Sequence, residues 1–495
     1  MSVAVASTSP FIQGEYNKPS DILKGYHRQA AKFLSIKNGW NEEFLLKLIE
    51  KIFIPRENGF KEAKIKVYRK NKHGDRVPDM MYARDFFNEC REKNYHLSPS
   101  LVAYEHLEKE LSVNSYATDM FIEGRREYKN LRQTVPRSGE LWRAYNEIQN
   151  ALKIFNNAQS GGMSSSGTPI HNHSGHTSLT SITRCLTSTA NICNERLITG
   201  NRLLLNYEAT MQLFVSTLAF ADKETIQEAI DVFKLNYAST EQVMDMVRKS
   251  SRYYHNDKVG IKTIEQFVKR LSPLDRTIIL CTMDLRGLYT VNKEVVTKFI
   301  EDFSYIPEFP EGLTEEDGIK PDNGDRKILC VTKLGEGATQ EKINYLNKYH
   351  LTVEKKWGLF IKAFLRAKIP PSSLFSVKEM VRESVLTSDT DSSIYSVDLL
   401  SKDLVTDSGS GIVFNGVLTY FIRCIAVDQH ARLSKNINIA NKHLYRNNMK
   451  NEYLFGSYVT TDMSKHYFAL QLMVEGVINN TLELECKGVH LRGVN

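Results

Sequence analysis

Two aspartates one residue apart carry the most pointed chemistry in the chain. They are Asp389 and Asp391, in Ser388-Asp389-Thr390-Asp391-Ser392. The apolar and β-branched stretch Val385-Leu386-Thr387 precedes them, and Ile394, Tyr395 and Val397 follow, all residue types that suit strands. This pattern predicts a β-hairpin with two carboxylates at its tip. Close carboxylates repel, and a hard divalent cation relieves that repulsion by taking their oxygens as ligands. Asp and Ser are also ordinary turn residues. Alone, the motif therefore reads first as a solvated turn, and the rest of the chain decides.

Two basic helical patterns lie far upstream. In Arg125-Arg126-Glu127-Tyr128-Lys129, Arg125 and Lys129 are i, i+4 and share a face that Arg132 continues. In Lys153-Ile154-Phe155-Asn156-Asn157, Lys153 and Asn157 stand in the same relation, away from Leu152 and Phe155. Pro136-Arg137-Ser138-Gly139 breaks the pattern between them and predicts a helical hairpin. In an antiparallel pair Arg125, Lys129 and Lys153 can converge. Converging cations call for a ligand with several negative charges, and a triphosphate fits. Either face taken alone reads first as a solvated basic surface.

The 495 residues allow two to four domains, and a composition of 41% apolar and 25% charged residues is that of a soluble globular chain. A net charge of +7 permits nucleic-acid contact without arguing for it. Seven scattered cysteines without a CxxC pair point to a reducing compartment. Met1 to Tyr16 lacks the regions of a secretory signal, and the apolar stretch Phe214–Ala221 is too short to span a bilayer, so no membrane is expected.

Periodicity sets out the elements. A helix is expected around Phe44–Ile52, a strand over Ala63–Tyr68, and a helix over Met80–Lys93. Further helices are expected over Ser115–Arg132, Glu140–Asn157 and Ser188–Leu205, with a loop over Gly161–Ser181. Residues 206–312 read as all-helical. Ser239…Gln242 and Thr263…Gln266 resemble capping boxes, and Ser272-Pro273 an N-cap followed by proline. A polar linker follows at 313–328, then helices near 340–366, 412–434 and 438–448, and alternating strands from Tyr453 to Val489. The expected units are 1–95, mixed α/β; 96–205, the helical hairpin with the loop and helix after it; 206–328, helical block and linker; and 329–495, carrying the acidic hairpin and the strands.

In this order the blocks resemble the polymerase region of family B DNA polymerases, in particular the divergent enzymes of large-genome tailed bacteriophages. Arg125-x-x-x-Lys129 resembles the fingers helix. Lys153-x-x-x-Asn157-Ala158-Gln159-Ser160-Gly161 resembles the Lys-x-x-x-Asn-Ser-x-Tyr-Gly block, and Asp389–Ser392 the Asp-Thr-Asp-Ser block. Lys465-His466-Tyr467 resembles the Lys-x-Tyr element at the primer-template, and Lys487–Arg492 the passage from palm to thumb. Ser174–Ser181 and Ala190–Glu195 resemble a phage-type loop. The likeness covers about 97–205 and 375–495.

The resemblance implies an α+β right-hand fold with palm, helical-hairpin fingers, a large helical insertion and an incomplete or absent thumb. It implies a DNA-directed DNA polymerase that uses two Mg2+ ions, with Mn2+ as substitute, and takes deoxynucleoside triphosphates and primer-template DNA. Asp391 and Asp389 would hold the metal. Arg125, Lys129, Lys153 and Asn157 would hold the nucleotide, and Lys465, Tyr467, Lys487 and Arg492 the DNA. The implied setting is the cytoplasm of an infected bacterial host, or a phage replication compartment.

Three departures stand out. Ser160 replaces the family's tyrosine. About 240 residues separate Lys153 from Asp391. The first catalytic aspartate, followed in the family by Ser-Leu-Tyr-Pro-Ser, has no clear counterpart: Asp79 and Asp85 lie in a helical pattern, and Leu97-Ser98-Pro99-Ser100 is a faint echo. This leads to the expectation of a split polymerase, in which a second polypeptide supplies that aspartate, the exonuclease or the thumb. Two alternatives differ in class. One is a non-catalytic, polymerase-derived nucleic-acid-binding subunit. The other is a structural zinc module built on His171, His173, His176, Cys185 and Cys193.

Overall fold

The computed structural model describes residues 21–53, 64–109, 112–133, 135, 139–254, 257–305, 307–319, 339–367, 380–389, 392–404, 408–446, 452–463, 465–474 and 477–488. The architecture is mostly helical α+β.

Helices α1 (Asp21–Asn38) and α2 (Glu42–Phe53) open it, followed by the antiparallel ribbon β1 (Lys64–Lys70) and β2 (Arg76–Tyr82). The expectation of a helix from Met80 is corrected here. Gly74, at φ 87°, turns the chain so that Tyr82 pairs with Lys64, and helix α3 starts only at Ala83 and ends at Glu92. Strand pairing overrides local propensity. Asp79 therefore stands on a strand, whereas Asp85 lies in the first turn of α3.

A two-residue pairing, β3 (His96–Leu97) with β4 (Ala103–Tyr104), leads into the helical hairpin α4 (Val113–Gln133) and α5 (Glu140–Ser164). Helix α6 then runs from His173 to Thr199, over much of what composition marks as loop. Its Ser and Thr hydroxyls bond back to carbonyls three or four residues earlier: Thr180 and Ser181 to Thr177, Thr183 to Leu179, and Thr189 to Cys185. Such back-bonding satisfies the side chains without breaking the helix. Asn172 caps its start by accepting from the Gly175 N–H, and Gly200, at φ 71°, closes its end.

Helices α7 (Tyr207–Phe220), α8 (Lys223–Phe233), α9 (Thr240–Ser251), α10 (Lys258–Arg270), α11 (Pro273–Cys281), α12 (Leu285–Val291) and α13 (Lys293–Ser304) form the expected helical block. The first six begin on a side-chain cap: Asn206, Asp222, Ser239, Asp257, Ser272 and Asp284. Each such cap contributes about 1 kcal/mol. Ser239 and Gln242 form the full reciprocal box. Thr263 does not cap; it lies inside α10 and bonds back to the Val259 carbonyl.

Helix α14 (Gln340–Lys356) passes through a short turn, Gly358–Phe360, into a π-helical turn, Ile361–Leu365. The hairpin β5 (Val385–Ser388) and β6 (Ser393–Tyr395) follows, then α15 (Asp398–Leu404) and α16 (Ser408–Asn436). The helix expected at 438–448 is only a 3-10 turn, Asn441–His443. Asn438 takes a left-handed φ of 64° and sends its amide to Asn94 Oδ1 and the Tyr95 carbonyl, which ends the helical run. The antiparallel sheet β7 (Tyr453–Thr460), β8 (Tyr467–Val474) and β9 (Val477–Lys487) completes the chain.

One core joins α6, the block α7–α13, the end of α14 and α16. Its centre is aromatic. Phe299 lies with its ring centroid 5.3 Å from Trp357, 5.1 Å from Phe360 and 5.1 Å from Phe421. A buried ion pair, Arg202 Nη1 to Asp284 Oδ2 at 2.6 Å, ties the segment after α6 to the start of α12.

Candidate active site

The acidic motif folds as a hairpin, with Ser388 opposite Ser393 and the Asp389 N–H bonded to the Ser392 carbonyl at 2.8 Å. Thr390 and Asp391 lie outside the described residues, so the structure speaks for Asp389 alone.

Helix α6 carries the hairpin. Glu195 is fully buried and accepts three successive backbone N–H groups at the entry to β5. Its Oε2 takes Glu383 at 2.9 Å, and its Oε1 takes Ser384 at 2.8 Å and Val385 at 2.7 Å. Asn201 Nδ2 adds a fourth bond at 2.9 Å. One helical turn earlier Asn191 clasps both strands, donating to Ser388 Oγ at 3.1 Å and accepting from Ser393 Oγ at 2.6 Å. Residues i and i+4 share a helix face, so Asn191 and Glu195 act as one cradle. Arg196, the next residue, turns to the Thr282 carbonyl and anchors the same helix to the helical block. The nearby Glu383 carboxyl titrates above its usual range because it is buried, with the Glu195 charge adding to the effect; Arg252, 3.0 Å away, opposes it.

The sheet meets the hairpin from another side. Tyr458 OH lies 3.2 Å from Thr387 Oγ1, and its ring centroid is 5.2 Å from that of Tyr467. Lys465 Nζ sits 2.9 Å from Asp389 Oδ2. Lys465 and Tyr467 do not share a strand face as the spacing suggests: Lys465 is in the turn at φ 66°, and β8 starts at Tyr467. Lys487, at the end of β9, pairs in register with Tyr467. Arg492 lies outside the described residues. Burial pushes the Tyr467 hydroxyl up to about 12, with smaller contributions from Glu485 and Glu452.

In the helical hairpin, Phe121 faces Phe155 and Tyr128 faces Tyr145, which fixes an antiparallel register. Arg125 Nε donates to Gln149 Oε1 at 3.2 Å, one turn from Lys153. Lys129 and Lys153 lie to either side of Arg125, each about one turn away, so the three cations form a row spanning about 12 Å of helix. Arg125 and Lys129 are half-buried; Lys153 and Asn157 are exposed. Burial lowers the Arg125 pKa, and the Glu452 charge opposes that.

Asp79 and Asp85 are engaged elsewhere, the first 3.4 Å from Arg69 and the second 2.9 Å from Arg84. The oxygens of Asp389 have the hard character that magnesium takes, yet among the described residues no three His, Cys, Asp or Glu side chains gather as a metal-holding group. The zinc module is corrected on geometry. Cys185 and Cys193 lie on the continuous helix α6, eight residues and therefore about 12 Å apart, too far to share an ion.

Asn191, Glu195 and Tyr458 were not singled out by chemistry in the sequence. The available signal was the i, i+4 spacing of a carboxamide and a carboxylate in Asn191-Ile192-Cys193-Asn194-Glu195.

The acidic hairpin thus lies against α6 on one side and the sheet β7–β9 on another. The model of the divergent family B DNA polymerases matches residues 12–495, and the chain belongs to that family. No curated protein and no solved structure matches it. No helix among the described residues is long and apolar enough to cross a membrane.

Proposed function

We propose that the chain is the catalytic part of a DNA polymerase that extends a primer with deoxynucleotides during phage DNA replication. The observation that carries this reading is the acidic hairpin held by Asn191 and Glu195 and touched by Lys465. In this reading β5–β6 and the sheet β7–β9 belong to the palm, and α4–α5 are the fingers. Asp389 and Asp391 would hold magnesium, which when bound neutralises charge on the transferring phosphoryl group. Arg125, Lys129 and Lys153 bind the triphosphate, with Asn157 beside the nucleotide. Tyr467 and Lys487 face the primer-template, and Lys465 exchanges its partner Asp389 for the primer backbone. Phosphoryl transfer needs positioning and charge neutralisation more than covalent help, and this set of residues supplies both.

A further carboxylate is needed to complete a two-ion site. We propose that a second polypeptide provides it, since Asp79 and Asp85 are paired with arginines. Primer extension by the purified chain, alone and together with the polypeptides that copurify with it, tests both statements. Extension only in the complex, abolished by Asp391→Ala, is the expected result. Robust extension by the lone chain, abolished by the same change, would place the missing carboxylate within it. Salt-sensitive primer-template binding without incorporation in any combination would favour the non-catalytic binding subunit.

A further inference from the structure

A cleft of about 530 Å³ opens between the end of α14, the π-helical turn and the last turns of α16. Lys362, Arg366, Arg432 and Lys435 line it, against the carboxylates of Glu354 and Asp428. Asp428 is already committed: its two oxygens take Arg366 Nε at 2.5 Å and Nη2 at 2.8 Å. That leaves Lys362, Arg432 and Lys435 facing one acid.

Arg432 is the telling residue. It is largely withdrawn from water, and burial lowers its pKa, yet among the described residues its guanidinium has no hydrogen bond or ion pair. The Asp428 charge opposes that shift, but its two oxygens are taken by Arg366; a half-desolvated cation that shares its nearest acid is costly, and an anion entering the cleft relieves it. Tyr445 stands at the rim with 63% of its surface exposed. A cationic groove beside an open aromatic ring is the combination that holds single-stranded nucleic acid, phosphates on the cations and a base on the ring. Gly358 leaves the cleft wall bare, since a side chain there would meet nothing within 4 Å.

The cleft is separate from the acidic hairpin. Arg432 lies on the Cys193 side of α6, and Cys193 points away from the face of Asn191 and Glu195. The helix stands between the two.

We propose that this cleft binds a segment of single-stranded nucleic acid outside the polymerising centre, with backbone phosphate on Arg432 and Lys435 and one base stacked on Tyr445. The inference takes from the polymerase reading only that nucleic acid is present, and its test requires no incorporation.

The test is fluorescence anisotropy of a labelled oligothymidylate of about twelve nucleotides with the full chain, across a salt series and without magnesium. The double change Arg432→Ala/Lys435→Ala should weaken binding at least about fivefold and flatten the salt slope by about 1.4. Tyr445→Ala removes an exposed side chain and leaves the fold intact; it should weaken binding roughly fivefold or more. Gly358→Leu should block the cleft with a similar loss. A bromouracil oligonucleotide should photocrosslink to Tyr445. Wild-type affinity and slope in these folded variants, with crosslinks elsewhere, would overturn the proposal. Equal competition by thymidine triphosphate and unlabelled oligonucleotide would overturn it in favour of a free nucleotide. Loss of strand binding with primer extension retained, or the reverse, separates this inference from the polymerase reading.

Discussion

Phe299 in α13 and Phe155 in α5 are both helical phenylalanines with aromatic neighbours, yet the first is fully buried and the second 61% exposed. The contrast extends to the regions around them. The block α7–α13 shares one core with α6 and α16, and six of its helices start on side-chain caps. The hairpin α4–α5 is held chiefly by its own two helices, and the one buried residue of α5 is the polar Gln149. The first region is a platform that fixes the acidic turn through Glu195 and Arg196. The second is an arm whose cations can shift without disturbing a core. A polymerase needs both properties, because metal ligands must be preorganised while the nucleotide must be admitted and enclosed.

The contrast is broken most directly at Glu195. Glu195→Ala would leave three backbone N–H groups buried without acceptors, at about 1–3 kcal/mol each. The expected loss is at least about 3 kcal/mol in urea unfolding, together with loss of any incorporation. Next come the two phenylalanines themselves. Phe299→Ala should cost about 3–5 kcal/mol, whereas Phe155→Ala should cost less than about 1 kcal/mol. Equal losses would remove the distinction between platform and arm.

A pH dependence sharpens it from the platform side. Burial pushes His350 down to about 4, and both of its ring nitrogens lack a hydrogen-bond partner among the described residues. The fold therefore favours the neutral ring. The associated stability is complete above the unfolded value near 6.5 and is lost as pH falls from there toward about 4. Roughly 3 kcal/mol follows from that shift. Acidification from about pH 6.5 toward about 4 should lower the melting temperature of the wild type more than that of His350→Phe; parallel curves would contradict the assignment. The smallest effect is expected at Lys465→Ala, which removes an exposed ion pair with Asp389. Stability should change by about 1 kcal/mol or less, while primer-template affinity falls.

Much of the platform was legible in the sequence. Ser239 with Gln242 and Ser272 with Pro273 mark helix starts by local chemistry, and the structure keeps both. The hairpin β5–β6 was legible for the same reason, since its strand-formers flank a polar turn. What escaped were outcomes decided by distant partners. Met80 and Met81 joined a strand because Lys66 and Ile65 were there to pair. The Ser- and Thr-rich start of α6 read as loop because composition does not show hydroxyls returning to their own helix. Of the candidate site, the residue types were visible but the support was not. Nearly 190 residues separate Glu195 from the N–H groups that it holds, and no local pattern signals that pairing.

The central claim is that the turn at Asp389 and Asp391 is a metal-dependent catalytic centre. It is tested most directly by magnesium-dependent primer extension with the protein and its copurifying polypeptides, comparing wild type with Asp391→Ala. The account predicts incorporation that requires magnesium and vanishes in the variant, while the variant keeps its melting temperature and its affinity for primer-template. Undiminished incorporation by Asp391→Ala would contradict it.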